Sequence, residues 1–193
     1  MLSDEELVVE IKNGSEAALE MIVKRYYNQI FCYVVRRIKD HHYALDITQE
    51  VFIKVISGIN SFSSEKGKFS SWIFKIAINT CRNYFKCGMY KSTMREISIC
   101  DEIQCTSNVI SLLEKKEDQR VILNAINELP DFQKEVIILK FYFDKKFIEI
   151  AELTESNEST VKSRFRQGLC KLKVILEREG LKSDEYNKKT TGT

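Results

Sequence analysis

Apolar residues recur along most of this chain at steps of three and four, the spacing of one face of an α-helix. Ser3 and Glu6 form a capping-box pair ahead of Leu7, Val8 and Ile11, which predicts a short helix stopped by Gly14. Ser15 is placed to cap a longer helix whose stripe runs through Leu19, Ile22, Val23, Tyr26, Ile30, Phe31, Val34 and Ile38. Arg36, Arg37 and Lys39 close it, where cations suit the helix dipole. Asp40 opens a third helix over residues 42–56, with Ala44, Ile47, Val51, Phe52 and Val55 inward and Gly58 past its end. Residues 60–69 read as a polar loop bracketed by Phe62 and Phe69. Ser70 or Ser71 then starts a fourth helix through Trp72, Ile73, Ile76, Ala77 and Thr80 to about Lys86.

The periodicity lapses over residues 88–111, which predicts a linker, and returns from Leu112 and Leu113 onward. Helices are expected up to Leu129-Pro130, from Pro130 to about Phe141, over 147–153 and over 158–179. Residues 181–193 are polar and predict a disordered tail. The expected fold is all-α: a small helical domain over 1–87, the linker, and a second over 112–180 that ends in a helix-turn-helix.

Composition supports helices. One Pro and seven Gly among 193 residues exclude collagen-like and turn-dense all-β architectures. No apolar run reaches the ~18 residues of a membrane span, and the acidic start, Met1-Leu-Ser-Asp-Glu-Glu, does not resemble a signal peptide. The expectation is a cytoplasmic protein without direct membrane insertion. The six cysteines form no CxxC pair and the two histidines, His41 and His42, are adjacent, so neither a metal site nor a cofactor is expected. The thiols are expected to be reduced, with Cys32, Cys81 and Cys170 as small core fillers.

The net charge of +2 hides two basic segments. Residues 58–95 carry 7 basic and 1 acidic side chains, and residues 158–182 carry 7 and 3. Both lie beside neutral or acidic stretches, which suits two contacts with one polyanion or, equally, two solvated helix faces. The second segment has further structure. Ala151 is small where two helices would cross, residues 154–157 give a turn, and Asn157 can cap the next helix. Val161, Phe165, Leu169 and Leu172 would face inward. Ser159, Thr160, Lys162, Ser163, Arg166 and Gln167 then form an outward, basic, hydroxyl-rich face suited to the major groove and its phosphates. The alternative is an ordinary helical hairpin with a solvated face.

Two blocks of residues resemble the extracytoplasmic-function (ECF) sigma factors of bacterial RNA polymerase. The block Ala44-Leu-Asp-Ile-Thr-Gln-Glu-Val-Phe-Ile-Lys-Val, with Phe62 and Ser71-Trp-Ile-Phe-Lys-Ile-Ala-Ile-Asn-Thr-Cys-Arg-Asn-Tyr, is similar to sigma region 2. Leu129-Pro-Asp-Phe-Gln-Lys-Glu-Val-Ile-Ile-Leu, Phe147-Ile-Glu-Ile-Ala-Glu and Thr160-Val-Lys-Ser-Arg are similar to region 4. The resemblance implies an alternative sigma factor that binds core polymerase and promoter DNA and is controlled by an anti-sigma factor. It implies that Asp46, Gln49, Glu50 and Phe52 dock on the β′ clamp helices, and that the segment from Pro130 to Phe141 packs near the β flap. It places Phe62, Ser63, Ser64, Lys68 and Phe69 in a loop that captures a flipped minus-10 base. Trp72, Lys75, Asn79, Arg82 and Asn83 would read and hold the rest of that element. Lys162, Ser163 and Arg166, with their neighbours Ser159, Thr160 and Gln167, would meet the minus-35 element. Bland readings stay open beside these: Asp46 and Glu50 as a solvated pair, Phe52 and Trp72 as core, Phe62 and Phe69 as loop anchors.

The chain departs from the family in the turn, where Glu155 and Ser156 replace the usual glycine and aliphatic residue. Glu155 is therefore expected to need a different turn conformation. Glu158 would repel nearby phosphate unless it accepts from a cytosine amine. A stand-alone helix-turn-helix regulator would leave residues 44–86 without a use, and a protein-only adaptor would not explain the basic segments. No P-loop, HExxH, nucleophile elbow or kinase-type set occurs, so an enzyme is not expected.

Overall fold

The computed structural model describes residues 2–86 and 116–179, with side chains described from residue 120 in the second segment. The chain falls into two compact units, residues 1–105 and 106–193. The linker expected over 88–111, the start of the second domain at 112 and the tail over 181–193 lie outside the described residues, as do Cys87, Cys100 and Cys105. All regular structure in the described residues is helical.

The first unit contains α1 (Asp4–Lys12), α2 (Glu16–Ile38), α3 (His41–Gly58) and α4 (Phe69–Lys86), with single 3-10 turns at Ile59–Ser61 and Ser64–Lys66. The caps follow from side-chain chemistry. The Ser3 amide donates to Glu6 Oε2 at 2.7 Å and the Glu6 amide to Ser3 Oγ at 3.2 Å. Ser15 accepts from the Ala18 amide and Asp40 from the Tyr43 amide. Gly14 turns the chain between α1 and α2 at φ 91°, a conformation that glycine adopts without a steric penalty.

Leu7, Ile22, Ile30, Tyr33, Val51, Phe69, Ile73, Phe74 and Ile78 are fully buried among the four helices. Each such side chain contributes roughly 1.5–3 kcal/mol on burial. Asp4 ties α1 to α2, accepting from the Arg25 guanidinium and the Tyr26 hydroxyl. Lys12 Nζ donates to the Phe62 carbonyl at 2.7 Å, so α1 also holds the loop before α4. That helix begins at Phe69, one residue ahead of the serines expected to open it, because the Lys68 carbonyl already accepts from the Ser71 and Trp72 amides. Cys32 is buried, as expected of a small core filler. Cys81 is buried and forms no disulfide, whereas Cys170 forms none either but is exposed rather than a core filler.

The second unit contains α5 (Lys116–Asn127), α6 (Asp131–Phe141), α7 (Phe147–Thr154) and α8 (Glu158–Arg178). Six consecutive residues of α6, from Lys134 to Leu139, are buried, so the middle of this helix is enclosed on all sides while its first turn is exposed. α8 approaches it closely at Gly168, where a Cβ would sit 3.1 Å from Ile137 Cγ1. Consequently the inward ridge of α8 runs through Val161, Gly168 and Leu172, with Phe165 half-buried between the Phe141 and Phe147 rings. Leu169, expected inward, is exposed instead, because the close approach of α8 to α6 falls at its neighbour Gly168. Arg178 pairs with Glu128 at 2.9 Å, linking the ends of α8 and α5.

Candidate nucleic-acid interface

Three exposed helix faces carry the residues singled out by the sequence. On α3, Ala44, Ile47, Val51 and Val55 are buried, which turns Asp46, Gln49 and Glu50 outward together. Glu50 pairs with Lys54 at 2.6 Å, and Lys54 Nζ also donates to Thr80 Oγ1 on α4. Phe52 does not join them. It lies on the buried side, its ring stacked 6.0 Å from that of Tyr27. The exposed row continues instead through Ile53, which is 65% exposed, and Ile56. Neither was singled out from sequence; a helical projection anchored on Asp46 and Gln49 would have found them.

The loop before α4 is closed by rings. Phe62, Phe69 and Trp72 form a triangle with centroid separations of 5.5, 5.5 and 5.6 Å, and Tyr26 meets Phe69 edge-on. Phe62 and Phe69 are buried and anchor the loop, while Trp72 is half-buried. The exposed surface of this loop is polar: Ser64 and Lys68 face solvent and Ser63 is half-buried. Along α4, Trp72, Lys75, Asn79, Arg82 and Asn83 share one face by their spacing, with Asn79 and Asn83 exposed and the other three half-buried. The opposite face, Ile73, Phe74, Ala77, Ile78 and Cys81, is core. A row of amides flanked by cations is able to bond base edges and meet phosphates.

In the second unit, α7 and α8 make the helix-turn-helix. The Ser156 amide donates to the Ala151 carbonyl at 3.0 Å, closing the turn. Glu155 takes the left-handed conformation, φ 52° and ψ 44°. The expectation that it would need another turn conformation is thus overturned: the turn keeps the geometry glycine would favour, and Glu155 bears the steric cost. Asn157 stands at the N-cap of α8 with extended backbone angles but without a side-chain cap bond. Ser159, Lys162, Arg166 and Gln167 are exposed and Thr160 and Ser163 half-buried, so all six reach one surface of α8. Lys162 pairs with Glu158 at 2.7 Å, which offsets the carboxylate's charge at the front of the helix. The Gln167 side-chain amide donates to Ser163 Oγ at 3.4 Å, and Gln133 donates to Gln167 Oε1 at 3.2 Å. Sequence reasoning missed Phe132, exposed at the start of α6, with the Arg164 guanidinium 4.7 Å from its ring centroid. Arg164 also donates to Ser156 Oγ at 3.0 Å, binding the helix to the turn.

Among the described residues, no group of three or more His, Cys, Asp or Glu is placed to hold a metal ion. No helix among them is long and apolar enough to cross a membrane.

Two helical units, one ending in a basic helix-turn-helix and the other presenting a polar, cation-flanked helix, define a DNA-binding transcription protein. Comparison with known proteins gives the family. Residues 22–88 match the family model for Sigma-70 region 2, and residues 119–172 match that for Sigma-70, region 4. The ECF RNA polymerase sigma factor SigW of Bacillus subtilis is 30% identical over 173 residues, covering 83% of this chain and 90% of the relative. The RNA polymerase sigma factor SigV of the same organism is 32% identical over 160 residues, covering 81% and 87%. Among solved structures, the sigma factor RpoE of Bartonella quintana, in complex with the anti-sigma factor NepR, shares the fold. Its TM-score is 0.61 at 17% identity, covering 82% of this chain and 96% of that one. The chain belongs to the ECF sigma factors of RNA polymerase. Proteins of this family are transcription regulators.

Proposed function

We propose that this chain is a dissociable initiation factor, working in the cytoplasm without catalytic residues of its own, and assign its three faces to three contacts. Asp46, Gln49 and Glu50 dock on the β′ clamp helices of core polymerase, with Ile53 and Ile56 supplying apolar area beside them. Phe52 supports that face from beneath. Ser63, Ser64 and Lys68, together with Trp72, Lys75, Asn79, Arg82 and Asn83, engage the minus-10 element. Phe62 and Phe69 hold the loop that presents it, and base stacking by either ring would require the triangle with Trp72 to open. Ser159, Thr160, Lys162, Ser163, Arg166 and Gln167 engage the minus-35 element, and α6 approaches the β flap. The proposed domain limits are 1–87 and 112–180.

The observation that carries this reading is the outer face of α4, where the exposed amide of Asn79 stands between the half-buried cations Lys75 and Arg82 and a second exposed amide, Asn83, follows Arg82. Such a face suits sequence reading on a phosphate backbone and serves no purpose in core packing. Control by an anti-sigma factor is part of the proposal, supported by the B. quintana sigma factor's being solved with one.

The test is to mix the purified chain with bacterial core polymerase and sequence run-off transcripts from genomic fragments. New start sites that share two upstream elements support the reading. Absence of any complex with core polymerase would favour a stand-alone helix-turn-helix regulator.

A further inference from the structure

Three of the large apolar side chains exposed in the first unit converge on one place. Leu2, Val9 and Met21 are 47%, 56% and 40% exposed, and all three line a groove of about 460 Å³ between α1 and the first turns of α2. Buried Leu7 and Ala18 complete its apolar lining. Single exposed apolar residues are ordinary, but a convergent set with a concave surface between two helices is the form of a helix-binding groove.

Charge identifies the occupant. Glu6 and Glu10 line the same groove. Over residues 2–25 the sequence carries six acidic side chains, Asp4, Glu5, Glu6, Glu10, Glu16 and Glu20, against three basic, Lys12, Lys24 and Arg25. Lys24 pairs with Glu20 and Arg25 with Asp4, away from Glu6 and Glu10. Phosphate backbones and anionic lipid surfaces are repelled by such a rim. A peptide that lays apolar side chains into the floor and lysines or arginines against the rim is complementary on both counts. None of the three faces assigned above overlaps this groove.

We propose that the α1–α2 groove is a docking site for a basic amphipathic helix of a partner protein. This site is separate from the polymerase and promoter contacts and does not depend on their assignment.

The probe is a fluorescently labelled synthetic helix of about 18 residues, roughly five turns, with Leu on one face and Lys on the other. Binding to the full chain is read by anisotropy, with a scrambled peptide of the same composition as control. The groove should bind the amphipathic peptide at least about tenfold more tightly than the scrambled one. Met21→Glu separates the two sources of attraction. It adds a negative charge while spoiling the apolar floor, so a docked apolar face predicts a loss of about tenfold or more. Attraction by charge alone predicts equal or tighter binding, and that result would overturn the proposal. Glu10→Lys should weaken binding independently. Both positions are exposed, so unchanged helical circular dichroism would show that the variants fold. Equal binding of the scrambled peptide would also refute the site.

Discussion

The Arg164 guanidinium lies over the ring of Phe132, 4.7 Å from its centroid, while the same side chain donates to Ser156 Oγ. The start of α6, the turn after α7 and the second turn of α8 are therefore held by one arginine. An exposed cation–π contact contributes about 0.5–1 kcal/mol. Because the Phe132 ring is exposed, its loss should scarcely change the melting temperature. Phe132→Ala is expected to loosen Arg164 and the front of α8, weakening promoter binding by the holoenzyme by about two- to fivefold. Filter binding on a promoter fragment checks this, and unchanged affinity would show that the ring does not position the helix.

Tyr26 links acid chemistry to the core. Burial raises the pKa of its hydroxyl first, and donation to Asp4 raises it further. A group whose folded pKa lies above its unfolded value adds stability that is intact below the unfolded value and lost as pH rises past it. For tyrosine that threshold is about 10. The urea midpoint of the wild type should hold to that pH and then fall. In Tyr26→Phe the alkaline fall should be shallower, and at neutral pH the variant should lose about 1–3 kcal/mol for the missing bond to a carboxylate. Identical alkaline slopes in the two proteins would rule out this linkage.

Glu155 is strained at φ 52°, which costs a residue with a Cβ roughly 1–2 kcal/mol. Glycine relieves that cost but loses more entropy on folding, by about 0.5–1 kcal/mol. Glu155→Gly is accordingly expected to raise the melting temperature of the second unit by a few degrees. Scanning calorimetry decides it, and a lower midpoint would contradict the strain argument.

The parts of this fold legible in the sequence are those fixed by local chemistry. Ser3, Ser15 and Asp40 cap their helices as their side chains dictate. Asp46, Gln49 and Glu50 share a face because residues three and four apart must do so on a helix. What escaped was set by neighbours distant in sequence. Phe52 is aromatic and two positions from Glu50, and only the stack with Tyr27 on α2 shows that it points away from the acidic face. Leu169 has the spacing of a core residue, yet the α6–α8 crossing uses Gly168, because Ile137 leaves no room for a larger side chain there. Phe132 lay outside every periodic stripe, and its value appears only once Arg164 is seen above it. The aromatic bracket of the loop was visible, but the burial of Phe62 and Phe69 depends on Trp72 and Tyr26 closing around them.

The assignment of α3 to polymerase and of α4 to DNA predicts a double dissociation. Asp46→Lys with Glu50→Lys reverses two exposed charges and breaks the pair with Lys54, so the affinity for core polymerase should fall by about tenfold or more. The protein itself should keep its stability, since exposed i,i+4 pairs contribute only about 0.3–0.5 kcal/mol. Ile53→Asp should weaken core binding on its own, because it places a charge in the apolar part of the same face. Asn79→Ala should act the other way. Removing a side chain able to pair with a base edge costs about 1–3 kcal/mol of discrimination, so transcription from a cognate promoter should drop while core affinity stays level. Both readouts come from one reconstituted system, polymerase association by fluorescence anisotropy and run-off transcription. If both variants lowered both quantities in parallel, the two faces would not be separate contacts, and the division of labour between α3 and α4 would have to be abandoned.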